Sequence, residues 1–588
     1  MGNALTTLQH FIYQKAPTLG IAQRDLYFRG EFNASFDLSR FSLFMRRGAW
    51  VSTSTFFNCF SLTKWLTWCK IGRLFVNLTG KGAVRVEIFL RECSGAELFV
   101  LSKEGKIDDG FQIEVPVNGY REGLIVLRIW AMSHVELTGG AFLTDRQAVN
   151  SVRLGIVVTH YNQLSSVERL VREYKIARER FPANIELVVV DNSQNLPSSF
   201  LSEGVHILKN QNFGGSGGYA RGKLYLERNG FTHGIYMDDD VEVDLENAYR
   251  VFQVFSYAIV PLAISGVILD KETSTGVLQV GGRYKPGTCW HPVLPGLNMS
   301  NLGDLTILDR FRGRLDFGAF PFYAYSMASV RHYPFPFFVR GDDVLFGLKD
   351  EASHKVAWPG VGISISSAEI GSRESPQSLY QDARALFVIE LSTTRHCPFL
   401  NFVKTYARLV LLQLFSYKYA SVESIFRALR DVFKGPEFFV ANLDATSIRV
   451  ANRDLCQLEK YEWCDYDIEV ELPHKRYSRI LQILTVNGLF LPCFLMKRNA
   501  ALQRKSFRAV FSEIFCYRYV CYENARGMRL MVKQEKLKIL GQLFRLAFSC
   551  VWILPRFRRM QATYRLKSNE FSSSDFWGRV YSQKEVRD

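Results

Sequence analysis

Three consecutive aspartates, Asp238, Asp239 and Asp240, end the short apolar run IYMDDDVEV at residues 235–243. An apolar run that stops in carboxylates reads as a buried strand delivering acids to its C-terminal end. In open α/β sheets that end is where ligands bind. On an extended backbone Asp238 and Asp240 leave on the same side, with Asp239 between them. Two hard oxygen donors converging there suit Mg2+ or Mn2+, ions able to neutralise a diphosphate. Taken alone, a DDD run reads equally well as a solvated acidic loop. A second acidic stretch, RGDDVLFG at residues 340–347, supplies Asp342 and Asp343. One of these carboxylates can deprotonate a hydroxyl while a metal holds the leaving group, as in in-line displacement at a carbon bearing a nucleotide diphosphate. The plainer alternative is a surface turn before a helix, with Asp342 as its N-cap.

The flanking pattern supplies the elements that must position these acids. RLGIVVTHYNQ (153–163) is a buried strand ending in polar residues, residues 167–181 have helical spacing, and IELVVVDNSQN (185–195) is a further strand. HILKNQNFGGSGGYARG (206–222) then leads into a helix and on to the acidic strand. Strands alternating with helices predict a doubly wound parallel sheet. Its three strand ends, 159–162, 191–193 and 238–240, fall along one edge. The glycine segment lacks the Lys-Ser/Thr pair of a Walker loop and the spacing of a dinucleotide fingerprint. Its glycines are expected to let backbone approach a ligand at a helix start, with a plain flexible turn as the alternative.

Before this region, residues 1–150 alternate short apolar runs with turns, as in LFVNLTGKGAVRVEIFL, FQIEVPV and GLIVLRIWAM. Period-two patterning of this kind predicts an antiparallel β-sandwich or jelly roll. Phe56, Phe57, Phe60, Trp65 and Trp68 are dense enough to form a carbohydrate platform, although aromatics at this density are more often core. After about residue 391 the chain reads as helical and increasingly basic.

A chain of 588 residues exceeds one core, and three domains are expected, at 1–150, 151–390 and 391–588. Net charge is +16, yet between Arg526 and Lys567 eleven Lys or Arg meet a single acid, Glu535. A basic tail beside apolar runs is a membrane-surface signature before it is a nucleic-acid one. No recognised nucleic-acid module accompanies the charge, and none is expected to bind. Eleven scattered cysteines without a CxxC pair suggest a reduced, cytosolic chain and no zinc site. The run at 251–269 reads as a helix end followed by a buried strand, and the run at 481–496 is too short to cross a bilayer. No transmembrane helix is expected.

With THYN, DNS, NFGGSGG, MDDD and RGDDVLFG in this order, the chain resembles the inverting GT-A glycosyltransferases, and among them the polymerising galactofuranosyltransferases that use UDP-galactofuranose. FFNCFSLTKWLTWCKIGRLFVNLTGKG is similar to their N-terminal β-sandwich, and ALRDVFKGPEFF and LTVNGLFLPCFL to their C-terminal helical region. The resemblance implies an α/β fold: a GT-A catalytic domain with a Rossmann-like core, between an N-terminal sandwich and a C-terminal helical domain. It implies that Thr159 and Asp191 contact the uridine, and that Asn212, Gly214 and Gly215 contact ribose and phosphates. Asp239 joins this donor-binding set. Asp238 and Asp240 would hold Mn2+ or Mg2+, and Asp343 would be the general base, with Asp342 the second candidate. Phe320, Phe322 and Tyr323 would face the acceptor.

The chain departs from the family pattern in three motifs. Ile365, in PGVGISI, stands where a metal-binding His is usual, with Ser366, Ser367 and Glu369 nearby. Phe320 and Pro321 replace a Trp-Trp pair, and Arg384-Ala385 an Arg-Asn pair. The reading implied is a metal-dependent, inverting transferase taking sugar from UDP onto a lipid-linked surface glycan. It would be cytoplasmic and peripheral on the inner face of the plasma membrane, attached to anionic lipid through its basic tail, with self-association left open. Its rivals are the same chemistry on another donor, such as dTDP-rhamnose, and a non-catalytic glycan-binding scaffold.

Overall fold

The computed structural model describes residues 4–13, 24–30, 34–37, 42–92, 94–181, 183–368, 375–393, 399–463, 468–473, 479–504, 509–524 and 526–585. Glu369 lies outside the described residues. The first 145 residues form two antiparallel sheets of six strands each. The strand Ala83–Arg91 alternates buried and half-exposed positions along its whole length, as a sandwich wall must. Phe56, Phe57, Phe60 and Trp65 are all buried, so these four are core and not a platform. The two sheets are seated on the region that follows by buried polar contacts. The Arg250 guanidinium donates to the Phe57 and Gly360 carbonyls at 2.7 and 2.8 Å, and Thr63 donates to Asp309 at 2.6 Å.

The second region is a mixed α/β sheet. Its strands are β1 (Leu154–His160), β2 (Ile185–Asp191), β3 (Val205–Lys209), β4 (His233–Asp238), β5 (Glu242–Val243), β6 (Leu262–Asp270), β7 (Phe322–Ser326) and β8 (His354–Ile365). They lie in the order β3-β2-β1-β4-β7-β6-β8-β5, with Val277–Gln279 pairing β6. β1 to β4 run parallel, β7 is antiparallel to β4 and β6, and β6 and β8 are again parallel. The sheet is therefore mixed where a parallel one was expected. β7 is FYAYS, buried like a central strand, and nothing in its composition marks its direction. Register aligns His160 with Asp191 and Thr159 with Asp238. The polar ends of β1, β2 and β4 thus share one edge, as the run lengths imply.

Helices α1 (Leu164–Arg180), α2 (Gly214–Arg228), α3 (Glu246–Tyr257), α4 (Asp342–Lys349) and α5 (Pro376–Ser392) belong to this region. Beyond them α6 (Phe399–Leu414), α7 (Tyr419–Val432), α8 (Lys536–Phe571) and α9 (Ser574–Glu585) follow. The C-terminal region is not wholly helical: Val470–Glu471, Lys497–Arg504, Tyr517–Glu523 and Arg529–Lys533 form a four-stranded sheet. Strands such as YRYVCYE have the aromatic and β-branched content for this, but the surrounding helical runs and basic charge obscure it in the sequence.

α8 is 36 residues long, and by length and composition it is apolar enough to cross a membrane, where no such helix was expected. One face of it is already committed to protein. Ile539, Leu546, Ile553, Phe557, Tyr564 and Phe571 are buried against the helical core, mostly at heptad spacing. Arg545 is half-exposed, pairs with Glu423 and lies 4.1 Å from the Phe426 ring centroid.

Candidate active site

A cavity of about 830 Å³ opens at the C-terminal edge of the sheet. Asp238 and Asp240 line it from the end of β4, Asp342 and Asp343 from the first turn of α4, and Gly215 and Tyr219 from α2. Two acidic motifs about a hundred residues apart therefore face one space. The backbone ahead of α4 is strained: Phe338 and Arg340 hold φ of 75° and 70°, and Gly341 caps the helix at 79°. The N-cap is thus Gly341 and not Asp342, whose carboxylate instead accepts the Ser216 hydroxyl at 3.0 Å. Left-handed backbone at bulky residues costs on the order of 1–3 kcal/mol each and clusters at functional sites.

The glycines of NFGGSGG have divided duties. A Cβ on Gly214 (φ 66°) would stand 2.1 Å from the Phe338 carbonyl oxygen, one on Gly217 2.3 Å from Phe213 Cβ, and one on Gly218 2.5 Å from Thr159 Cγ2. These three let α2 dock on the strained loop, on its own first turn and on β1. Gly215 meets nothing closer than 3.7 Å and faces the cavity. Gly214→Ala is therefore expected to lower the melting midpoint and to weaken nucleotide binding with it, the backbone term alone costing about 1–2 kcal/mol. Gly215→Ala should leave the midpoint unchanged and affect only binding. Equal melting curves for the two variants would refute this division.

Each remaining residue singled out in the sequence has a definite place. Asn212 accepts the Gly214 amide at 3.0 Å and turns the chain into α2. Asp191 is buried and accepts three backbone amides, from Ser193, Gln194 and Leu196, at 3.0, 2.8 and 2.9 Å. Its carboxylate is thus engaged in holding the loop after β2. Thr159 abuts Gly218. Phe320 lines the cavity, whereas Phe322 and Tyr323 are buried in the sheet and do not reach it. Period-two alternation cannot assign them, because β7 is covered on both faces. Trp290, from the hairpin Gly282–Lys285 and Cys289–Pro292, also lines the cavity and supplies an indole that the motifs did not indicate. Ile365 lines it at the end of β8, and His354 stands at the opposite end of the same strand, beside Trp68. Arg384 is buried, donating to the Phe337 carbonyl and packing over Phe439. Ser366 and Ser367 are tied to Glu272.

The structure also reveals partners that sequence reading missed. Buried His160 bridges Asp239 and Asn195 at 3.0 Å each. Burial pulls its pKa down, but these two hydrogen bonds and the nearby carboxylates more than offset that, and the net direction is up. The signal was available in THYN, whose His ends the strand. Tyr219 donates to Asp238 Oδ1 from a fully packed ring. Burial, reinforced by Asp240, Asp239 and Asp342, raises the Asp238 carboxyl to about 7 against the Tyr219 bond. Burial and then the Asp342 charge raise Asp343 to about 7, and Asp343 Oδ1 accepts the Val344 amide at 2.8 Å.

The last two helices brace this arrangement. Lys349, ending α4, donates to the Ser568 carbonyl at 2.6 Å and the Ser572 hydroxyl at 3.1 Å. On α9, Tyr581 donates to the Gly217 carbonyl at 2.6 Å, and Trp577 to the Pro334 carbonyl at 2.9 Å. Both helices that present the cavity are thus held by one C-terminal hairpin.

Residues 17–145 match the Galactofuranosyltransferase 2 N-terminal family. The chain is 22% identical over 434 residues to galactofuranosyltransferase GlfT2 of Mycobacterium tuberculosis, covering 67% of each chain. It is 19% identical over 426 residues to the GlfT2 of Mycolicibacterium smegmatis, covering 67% of this chain and 66% of that one. Each match thus spans about two thirds of the relative. A solved mannosyltransferase from Pyrobaculum calidifontis, in complex with GDP-Man and Mn2+, is 12% identical over 53% of this chain and 85% of that one, at a TM-score of 0.29. By its motifs and by the sequence matches, the chain is a glycosyltransferase that resembles the galactofuranosyltransferases.

Proposed function

We propose that the chain is an inverting GT-A transferase moving galactofuranose from UDP-galactofuranose onto a growing, lipid-linked surface glycan. The observation that carries this reading is the convergence of Asp238, Asp240, Asp342 and Asp343 on one cavity beside the α2 start. On this reading residues 151–390 hold the chemistry, residues 1–150 are the sandwich, and residues 391–588 brace the site and meet the membrane. Asp343 takes the acceptor hydroxyl proton as that oxygen attacks the anomeric carbon and UDP departs from the opposite face. The α2 start and Gly215 receive the diphosphate. Asp239, held by His160, and Thr159 lie beside the nucleoside. Phe320 and Trp290 offer faces to the sugars.

The donor set bears on the cation. Among the described residues no group of three or more His, Cys, Asp or Glu is arranged to hold a metal ion. Asp238 and Asp240 nevertheless fit Mg2+ or Mn2+ of the kind bound by one or two carboxylates plus substrate phosphates. When bound, the ion would stabilise the charge on departing UDP. Because Ile365 takes the place of an imidazole, ion binding without nucleotide is expected to be weak and indifferent to pH through the histidine range. Ile365→His should tighten Mn2+ in the absence of UDP, read by direct titration. No gain in Mn2+ affinity would place that side chain outside the ion's reach.

The reading is tested by incubating the enzyme with UDP-galactofuranose and a synthetic galactose-terminated acceptor and determining the product linkage. A deoxyhexose donor such as dTDP-rhamnose is the second reading, favoured by Phe320 and Pro321 in the aromatic-pair position. Donor hydrolysis across a panel of nucleotide sugars separates the two.

A further inference from the structure

Of the five aromatics dense enough in the sequence to suggest a carbohydrate platform, four are core and Trp68 is not. It ends the helix Leu62–Trp68 and stays half-buried. Its side chain helps line a second cavity, of about 470 Å³, at the start of β8 and away from the strand ends that carry the catalytic acids. The His354 ring tilts against the indole, with centroids 5.1 Å apart. The other walls are the C-terminal end of α4, the turn that follows it and the segment of residues 311–316.

The lining is polar and its charges cancel. Arg312, Arg314 and Lys355 are matched by Asp316, Asp350 and Glu351. Arg314 Nε lies 2.9 Å from Asp316 Oδ1, and Lys355 Nζ 3.7 Å from Asp350 Oδ2. Two groups sit deep and incompletely bonded. Asp350 is 3% exposed, and its Oδ2 accepts no hydrogen bond among the described residues. Ser353 is 8% exposed, and among the described residues its hydroxyl has no hydrogen-bond partner. Folding rarely leaves such atoms unanswered, because hydration lost on burial is then not replaced.

We infer that this cavity is a glycan-binding subsite, separate from the catalytic cavity, that holds the body of the acceptor away from its reacting end. Charge selects the ligand class. An anion would leave the three carboxylates opposed, and a cation would do the same to Arg312, Arg314 and Lys355. Sugar hydroxyls both donate and accept, so they can meet Asp350 and Ser353 as well as the cations. The apolar face of a sugar ring suits the indole of Trp68. The volume falls in the ordinary range for small-ligand sites, roughly 300–1,000 Å³. α4 relates the two cavities: Asp342 and Asp343 of its first turn line the catalytic one, while Gly347 and Leu348 near its end line this one. An eight-residue helix is about 12 Å long, so only an acceptor of several sugars spans both places. The subsite deepens the proposed function. It rests on that reading for the identity of the glycan, not for the chemistry of the cavity.

The experiment is calorimetric titration of the full chain, without donor, with a synthetic galactofuranosyl hexasaccharide and with the corresponding disaccharide. Wild type should bind the hexasaccharide at least tenfold more tightly, and Trp68→Ala should remove most of that difference. Ser353→Ala should weaken hexasaccharide binding severalfold while the melting midpoint holds or rises, since an unpartnered buried hydroxyl does not support the fold. In the transfer assay Trp68→Ala should raise KM for the hexasaccharide about tenfold at unchanged kcat, and leave both constants for the disaccharide within twofold of wild type. Equal wild-type affinities for the two sugars would overturn the inference, as would two variants that bind the hexasaccharide like wild type. A lowered midpoint for Ser353→Ala would give that hydroxyl to the fold and count against the subsite. Displacement of the hexasaccharide by inorganic phosphate would make the cavity an anion site instead. Galactofuranose transfer without binding that depends on Trp68 would remove this subsite alone. Binding that depends on Trp68 without transfer would leave the subsite standing and remove the substrate reading.

Discussion

Asp343→Asn is expected to lower kcat by about a thousandfold, with UDP affinity within about twofold of wild type, because only proton abstraction is lost. Retention of turnover within tenfold would move the role to Asp342. The wild-type rate should carry the same group's titration. With the Asp343 carboxyl raised to about 7 by burial and by Asp342, the base is protonated in acid, so kcat/KM should climb with pH through about 7 and then level. Stability should run the other way. A carboxyl whose folded pKa lies above its unfolded one binds more protons when folded, so its contribution falls as pH rises from about 4 to about 7. Asp343→Asn removes that penalty and should raise the melting midpoint at pH 8, by roughly 2–4 °C for each kcal/mol recovered. A lower midpoint would mean that the carboxylate is stabilised by a partner.

The second large effect is expected at the strand end. Asp238→Ala or Asp240→Ala should weaken UDP binding on the order of tenfold to a hundredfold in Mn2+ and little in EDTA, as isothermal titration reads directly. The two need not be equal. Asp238 is partly buried and accepts the Tyr219 hydroxyl, whereas Asp240 is exposed, so the two carboxylates meet the cavity in different surroundings. Equal wild-type affinities with and without metal would end the assignment of an ion to this pair.

What could be read in the chain was whatever is local. Runs ending in THYN, DNS and DDD mark strand termini by composition alone, and register then brings Thr159, Asp191 and Asp238 to one edge. Which partner each acid takes was not legible. His160 reaches Asp239 across 79 residues, and Ser216 reaches Asp342 across 126. The glycines show the same limit: Gly214, Gly217 and Gly218 answer to neighbours at close range, two of them on other segments, while Gly215 faces the cavity, and the run itself does not say which is which. β7 runs antiparallel in a sheet expected to be parallel, because a strand buried on both faces carries no sign of which way it points. On α8 the heptad of Ile539, Leu546 and Ile553 was present in the sequence, but an equally apolar outer face concealed it.

The bracing of the site by α8 and α9 carries a consequence for the order of synthesis. Tyr581 closes on Gly217 from 364 positions downstream. At ribosomal rates of about 5–20 residues per second, the first turn of α2 waits on the order of tens of seconds for that partner. Throughout that interval α4 also lacks the acceptors for Lys349. A nascent chain therefore carries an unfinished pocket until these two helices have left the exit tunnel.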